Sequence, residues 1–132
     1  MPRPGLLDTS VFIAREDGRP LDVDALPAES AVSVVTIAEL QVGVLSAPDT
    51  EVRARRMATL ATASQVTPLP ITVEAARAWA TLRVRLAEEG RRANVNDLWI
   101  AAIALAEGLD VVTHDSDYDV IASVGGPGIV RV

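Results

Sequence analysis

The sequence contains no cysteine, no lysine and a single histidine, His114, and these absences exclude several kinds of site. Without cysteine there is no disulfide, no thiolate nucleophile and no cysteine-ligated zinc, and one histidine cannot form a histidine cluster. The positive side chains are all arginines, twelve in number, so anion recognition depends on guanidinium groups. A metal site in this chain would consist mainly of oxygen ligands.

Aromatic residues and long apolar runs are also scarce. Aromatics make up 3% of the chain, which argues against rows of stacked rings that hold single-stranded nucleic acid. Only Leu6 and Leu7 precede Asp8 as an apolar segment near the amino terminus, so we expect neither a signal peptide nor a membrane span, and a cytoplasmic location. The length of 132 residues and the 49% hydrophobic content predict one domain over residues 1–132.

Short β-branched segments alternate with helical segments along the chain. The predicted order is strand 4–8, a short helix from Thr9, a loop over 16–30 with one turn, strand 31–35, helix 36–44, helix 50–63, an edge or very short strand in 66–71, helix 72–89, helix 97–106, strand 109–113, helix 116–124 and strand 129–132. Parallel neighbours need helical crossovers, so this order predicts an α/β sandwich with a mostly parallel sheet.

Four acidic residues occupy equivalent places in this pattern. Asp8 ends the first strand, Glu39 follows the second, Asp97 opens the most apolar helix, and Asp115 follows the strand 109–113. All four are expected at the carboxyl edge of the sheet, where sites of such folds lie. Each also has a structural interpretation, because acids are favoured in the first turn of a helix and Thr36 with Glu39 could form a capping box.

A shared site explains these acids together better than four separate helix caps. Two carboxylates about 5 Å apart repel by roughly 3 kcal/mol at an effective dielectric constant near 20, and no lysine is present to relieve this repulsion. Mg²⁺ or Mn²⁺ would relieve it, and such ions activate water for phosphodiester hydrolysis without a side-chain nucleophile. Glycoside hydrolysis, the other chemistry of paired acids, ranks lower because aromatic sugar platforms are scarce.

Four segments of the chain together resemble the PIN-domain ribonucleases, and more narrowly the VapC-type toxins of bacterial type II toxin–antitoxin pairs. They are Leu6-Leu7-Asp8-Thr9-Ser10, Thr36-x-x-Glu39-Leu40, Asn96-Asp97-Leu98-Trp99-Ile100-Ala101-Ala102 and Val112-Thr113-His114-Asp115-Ser116-Asp117-Tyr118. The resemblance spans nearly the whole chain in the expected order. It implies a three-layer α/β/α sandwich with a mostly parallel central sheet.

The resemblance also implies roles for individual residues. By resemblance, the catalytic and metal-binding residues are Asp8, Glu39, Asp97 and Asp115, and Asp117 is a further metal ligand. The hydroxyls of Ser10 and Thr113 are expected to orient the carboxylates or water, although Ser10 could instead cap a helix. His114 occupies a variable position, and we expect it to be a surface residue rather than a base.

The activity implied by the resemblance is Mg²⁺- or Mn²⁺-dependent endonucleolytic cleavage of structured RNA such as tRNA or ribosomal RNA. A homodimer and a small inhibitory VapB-like antitoxin are implied as well. The antitoxin is expected near Ile37, Leu40 and helix 50–63, where it could place a basic side chain among the acids.

The net charge of −6 is concentrated in the expected site, because the chain without the five site acids has thirteen acids against twelve arginines. The arginines expected to contact RNA phosphates are Arg53, Arg55 and Arg56 on one helix and Arg91 and Arg92 before Asp97. They could equally form solvated helix faces or dimer salt bridges.

Two further interpretations remain open. One is a PIN domain without activity, or another acidic α/β binding module. The other is a receiver-like phosphoacceptor domain, which clusters carboxylates around Mg²⁺ but normally relies on a lysine that this chain lacks.

Overall fold

The computed structural model describes residues 3–132, which form a four-stranded parallel sheet flanked by helices. The strands are β1 (Gly5–Leu7), β2 (Ser30–Ala31), β3 (Asp110–Thr113) and β4 (Ile129–Arg131), in the order β2-β1-β3-β4. The helices are α1 (Thr9–Glu16), α2 (Val34–Leu45), α3 (Thr50–Ala63), α4 (Val73–Glu88), α5 (Val95–Glu107) and α6 (Asp119–Ala122), with a 3-10 turn at Val23–Ala25. Within the described residues, every helix is too short or too polar to cross a bilayer.

Alternating side chains of the strands pack against helices on both faces of the sheet. On one face Leu6 and Val111 join the core formed with α4, α5 and α6. On the other face Val112 and Val132 pack with Val11 of α1. The layered α/β prediction is therefore confirmed, and the parallel register brings the carboxyl ends of β1 and β3 together.

The predicted second strand, 31–35, is wrong in extent. β2 contains only Ser30 and Ala31, and α2 already begins at Val34. The side chain of Ser33 caps α2, because its Oγ accepts the Thr36 N–H at 3.2 Å. This local hydrogen bond outweighs the strand preference of the β-branched residues that follow. Glu39 lies beyond the first turn, so the proposed capping box does not form.

Other boundaries also differ from the predicted ones, and a local cap explains the start of α5. α5 begins at Val95 rather than at Asp97, since Oδ1 of Asn94 accepts the N–H groups of Asn96 and Asp97 at 2.9 and 3.2 Å. The predicted helix 116–124 is reduced to α6, and the last strand ends at Arg131. The segment 66–71 forms a single bridge between Leu69 and Ser33, as expected for a very short strand between two prolines.

Candidate functional site

Asp8 lies at the centre of the candidate site, immediately after β1. Its side chain is only 3% exposed, and its Oδ2 accepts the Ser10 N–H at 3.3 Å, so Asp8 also caps α1. The sequence left Ser10 as an alternative cap, and the structure assigns that position to Asp8. Helix capping and membership of an acidic site are therefore compatible for this residue.

The phenol of Tyr118 connects two of the predicted acids, Asp8 and Asp97. Its hydroxyl lies 2.7 Å from Oδ1 of Asp8 and 3.3 Å from Oδ1 of Asp97. The ring is fully buried, so the position of the hydroxyl is set by packing. Tyr118 ends one of the segments that carry the family resemblance, but the sequence assigned no role to its phenol, because the contact with Asp8 depends on the fold.

A second hydroxyl, that of Thr113 at the end of β3, connects Asp8 with Asp115. Oγ1 of Thr113 lies 3.1 Å from Oδ2 of Asp8 and 3.4 Å from Oδ1 of Asp115. Oγ of Ser10 lies 3.1 Å from the same Thr113 oxygen and accepts the His114 N–H at 2.9 Å. The hydroxyls of Ser10 and Thr113 thus lie in the carboxylate network, although their effect on bound metal or water stays a prediction.

Glu39 is held in the site by α1. The Thr9 hydroxyl lies 2.7 Å from Oε1 of Glu39 and 3.0 Å from the hydroxyl of the buried Thr36. Because the Thr9 hydroxyl has one proton, the shorter bond to the charged carboxylate is the favoured one, and Thr36 can then donate to Thr9. Thr36 belongs to the Thr36-x-x-Glu39 segment, but sequence reasoning missed the contribution of Thr9.

The electrostatics of the site follow from the concentration of negative charge. Burial raises the pKa of Asp97 to about 7, with further contributions from the charges of Asp8, Asp115, Asp117 and Glu39. Burial and the neighbouring carboxylates Asp8 and Asp97 also raise the pKa of Tyr118. Across residues 3–132, no arginine forms an ion pair with any of these five acids.

The oxygen atoms of the site are of the type that binds hard cations, but the carboxylates do not converge on a single point. Within the described part of the chain, no three acidic or histidine side chains are already grouped closely enough to hold a metal ion. The hydroxyls of Tyr118 and Thr113 separate the carboxylates. Carboxylate and hydroxyl oxygens, without a cationic partner among the same residues, nevertheless fit Mg²⁺ or Mn²⁺ better than softer metals.

The remaining predicted residues lie at different distances from this network. Asp117 is exposed, and its N–H donates to Oδ1 of Asp115 at 3.1 Å. The expectation of a surface histidine is only half right, because His114 is half-buried and its Nδ1 lies 2.7 Å from the Val132 carbonyl oxygen. This contact occupies one ring nitrogen in a structural role.

The five predicted RNA-contacting arginines lie in two groups. Arg53 and Arg55 are exposed on α3, whereas Arg56 donates to the Gly43 carbonyl at 2.7 Å. Arg91 and Arg92 are exposed in the connection between α4 and α5, and Arg91 donates to Ser123 at 3.3 Å. No contact in the structure tests a role in RNA binding for either group.

Comparison with known proteins gives the family. The PIN-domain pattern matches residues 5–124. The chain is 50% identical to Ribonuclease VapC5 of Mycobacterium tuberculosis, over 99% of this chain and 97% of the relative. The chain belongs to the VapC ribonucleases of the PIN-domain family. This VapC-type chain is also 43% identical to Ribonuclease VapC4 of the same organism, over 92% of this chain and 94% of the relative.

Solved structures of VapC-type proteins share the fold. The chain matches a structure of VapBC-5, a toxin–antitoxin system of Mycobacterium tuberculosis, with a TM-score of 0.87, 48% identity and coverage of 99% of this chain and 100% of the other. A structure of VapBC2 from Rickettsia felis bound to a promoter DNA fragment matches with a TM-score of 0.80 at 21% identity, covering 98% of each chain. The second match supports the fold alone.

Proposed function

We propose that this VapC-type chain is the toxin of a toxin–antitoxin pair and cleaves structured RNA, such as tRNA or ribosomal RNA, in an endonucleolytic reaction that depends on Mg²⁺, with Mn²⁺ as a substitute. The observation that carries the proposal is the hydrogen-bonded connection of Asp8 to both Asp97 and Asp115 through Tyr118 and Thr113. This arrangement concentrates charge where a cation and a phosphate would meet.

The residues proposed to hold the ion are Asp8, Glu39, Asp97 and Asp115, with Asp117 as a further ligand. A divalent ion bound there lowers the pKa of water and neutralises charge on a phosphodiester. The protein contributes the orientation of its own groups: Tyr118 and Thr113 hold the two oxygens of Asp8, and Thr9 holds Glu39. A cation held there would favour the ionised form of Asp97, whose pKa is raised by burial and by the neighbouring carboxylates.

A VapB-like antitoxin is the proposed inhibitor. A hollow of about 320 Å³ between α1, α2 and α3 is lined by Leu40, Glu39, Arg56 and Glu16, among others. Oε1 of Glu16 is buried and has no hydrogen-bond partner within the described chain. An unpartnered carboxylate oxygen is costly to bury, so a basic group from an antitoxin would satisfy it and lie close to Glu39.

A homodimer in the cytoplasm completes the proposal. Apolar side chains remain on the surface of the protomer: Val42 is 62% exposed and Leu45 is 72% exposed. Exposed apolar residues on neighbouring turns of one helix favour contact with another protein surface. Light scattering of the antitoxin-free protein measures the oligomeric state, and a monomer at micromolar concentration would contradict this part of the proposal.

The decisive experiment incubates the purified, antitoxin-free protein with pooled tRNA and ribosomal RNA in Mg²⁺, Mn²⁺ or EDTA and maps new 5′ ends. Asp97→Asn is the test variant and Asp49→Asn, an exposed helix cap on α3, is the matched control. Metal-dependent cuts made by the wild type and by Asp49→Asn, but absent with Asp97→Asn, support the proposal. Folded wild-type protein that cuts neither RNA with either metal contradicts it, and incorporation of phosphate from a small phosphodonor would favour the receiver interpretation.

A further inference from the structure

A second hollow lies on the surface between α4 and α5, outside the carboxylate network. Its volume is about 600 Å³, and three arginines line it: Arg83 of α4 and Arg91 and Arg92 of the connecting loop. Buried Leu86 and Leu98 also contribute to its lining. The hollow therefore combines apolar side chains with three guanidinium groups.

The positive charge of this hollow is not neutralised within the described chain. No acidic residue lines it, and none of its three arginines forms an ion pair among residues 3–132. Arg91 donates one hydrogen bond to Ser123 at 3.3 Å, and Arg92 makes no side-chain hydrogen bond within this part of the chain. A guanidinium carries five N–H donors, so most N–H groups of these three arginines stay available to a ligand. In a protein with net charge −6, the hollow is a local excess of positive charge.

Arg83 is held in position by an aromatic pair. Its guanidinium carbon lies 5.4 Å from the ring centroid of Trp79, which stacks on Trp99 at 4.8 Å with an interplanar angle of 15°. A cation over an indole face gains electrostatic stabilisation, so Arg83 has less freedom to reorient than an isolated surface arginine. A positioned guanidinium is suited to bidentate contact with a phosphate.

The hollow adjoins the catalytic site through the first turns of α5. Val95 and Leu98 line the hollow, whereas Asp97, between them in the sequence, contacts Tyr118. One short stretch of helix therefore presents the acidic network on one side and the arginine-lined hollow on the other. A strand bound at the acids therefore has the hollow within one helical turn along α5.

We propose that Arg83, Arg91 and Arg92 form a phosphate-binding subsite that holds the backbone of the RNA next to the bond that is cleaved. This inference rests on the proposed function and adds a location for the flanking phosphate. The contacts are to the sugar-phosphate backbone, so they position the strand and do not select a sequence. Arg83 is the member of this set that sequence reasoning did not identify.

The test compares Arg83→Gln and Arg92→Gln with Arg77→Gln, an exposed arginine on α4 that does not line the hollow. Binding of fluorescein-labelled total tRNA is measured in EDTA, where metal-dependent cleavage is absent, over a series of salt concentrations. Each hollow variant should weaken binding about fivefold to tenfold. Each should also reduce the slope of log K against log salt by about 0.7–0.9, the values for one lost phosphate contact in single-stranded and double-stranded nucleic acid. In Mg²⁺ the same variants should raise KM with kcat little changed.

Three results would overturn the subsite. Unchanged affinity and salt dependence in both hollow variants would exclude phosphate contacts there. An equal loss with Arg77→Gln would mean that only overall charge matters. Unchanged RNA binding with reduced binding of a co-expressed antitoxin would identify a protein contact instead. Circular dichroism checks folding, and Arg92→Gln, which removes no side-chain hydrogen bond within residues 3–132, covers the case in which Arg83→Gln is destabilised. Mg²⁺-dependent cleavage by the wild type, measured in parallel, distinguishes failure of the subsite from failure of the proposed function.

Discussion

The hydroxyl of Tyr118 lies 2.7 Å from Oδ1 of Asp8, although the two residues are 110 positions apart in the sequence. Both side chains are buried, with Tyr118 at 0% and Asp8 at 3% exposure. A buried carboxylate needs hydrogen-bond donors to offset its lost hydration, and this phenol supplies one. The contact therefore stabilises the fold and sets the direction of the Asp8 side chain.

Replacing the phenol tests both consequences. Tyr118→Phe should lower the free energy of unfolding in EDTA by about 1–3 kcal/mol, because a buried acceptor loses its donor. Activity in Mg²⁺ should fall by about tenfold to a hundredfold, as for other groups that orient a metal ligand. Urea denaturation and RNA cleavage measure the two effects. Thr81→Val, which removes an exposed hydroxyl on α4, is the control, and equal effects of the two substitutions would argue against a special role of Tyr118.

The raised pKa of Asp97 predicts how stability depends on pH without metal. Between about pH 4 and about pH 7 the folded protein retains the Asp97 proton and the unfolded chain loses it. The folded state binds more protons in this window, so the free energy of unfolding decreases as pH rises through it. The loss should be about 1–3 kcal/mol after allowance for solvent screening of a half-buried group.

Urea denaturation in EDTA at several pH values from 4.5 to 8 measures this dependence. Asp97→Asn should flatten the curve and equal or exceed the wild type in stability near neutral pH, whereas Asp49→Asn should keep the slope. A wild-type curve without a decline across the window would contradict the proposed electrostatic origin. A large loss of stability in metal-free Asp97→Asn would instead mean that the acid is a structural helix residue.

Metal addition should have the opposite effect on stability. A ligand that binds only the folded protein stabilises it by RT ln(1 + [L]/Kd), about 2.7 kcal/mol at a hundredfold excess over Kd. Thermal unfolding with Mg²⁺ or Mn²⁺ should therefore shift upward in the wild type and shift less in Asp8→Asn and Asp97→Asn. An identical shift in all three proteins would place the bound metal elsewhere.

The bond between Thr9 and Glu39 predicts a substitution with a selective effect on activity. Thr9→Val keeps the shape of the side chain but removes the 2.7 Å bond to Oε1 of Glu39. The Mg²⁺ concentration required for half-maximal cleavage should rise by about tenfold, since Glu39 loses its orientation. Thr59→Val on α3 removes a hydroxyl that donates to the Arg55 carbonyl of the preceding turn, and this control should not change the metal requirement. Equal metal requirements in Thr9→Val and the wild type would exclude this role.

Local sequence patterns predicted the bounds of a helix or strand well where a single sequence feature determined them. Gly108 has a left-handed conformation, with φ of 69°, and α5 ends before it at Glu107, one residue beyond the predicted end at 106. The second strand was misjudged because two signals compete at Val34 and Val35. Their β-branched side chains favour a strand, but the cap formed by Ser33 starts a helix. The strand preferences of Val34 and Val35 do not show that the Ser33 side chain reaches the Thr36 N–H and starts a helix.

The sequence by itself determined the chemistry available to this protein: oxygen ligands, guanidinium groups for anions, and acids at the ends of predicted strands. These follow from composition and local order, since the missing residue types exclude other sites in any fold. Only the tertiary structure decided that Tyr118 connects Asp8 with Asp97, that Thr9 holds Glu39, and that Arg83 joins Arg91 and Arg92. Such contacts join residues far apart in the chain, and their distances depend on how helices pack against the sheet.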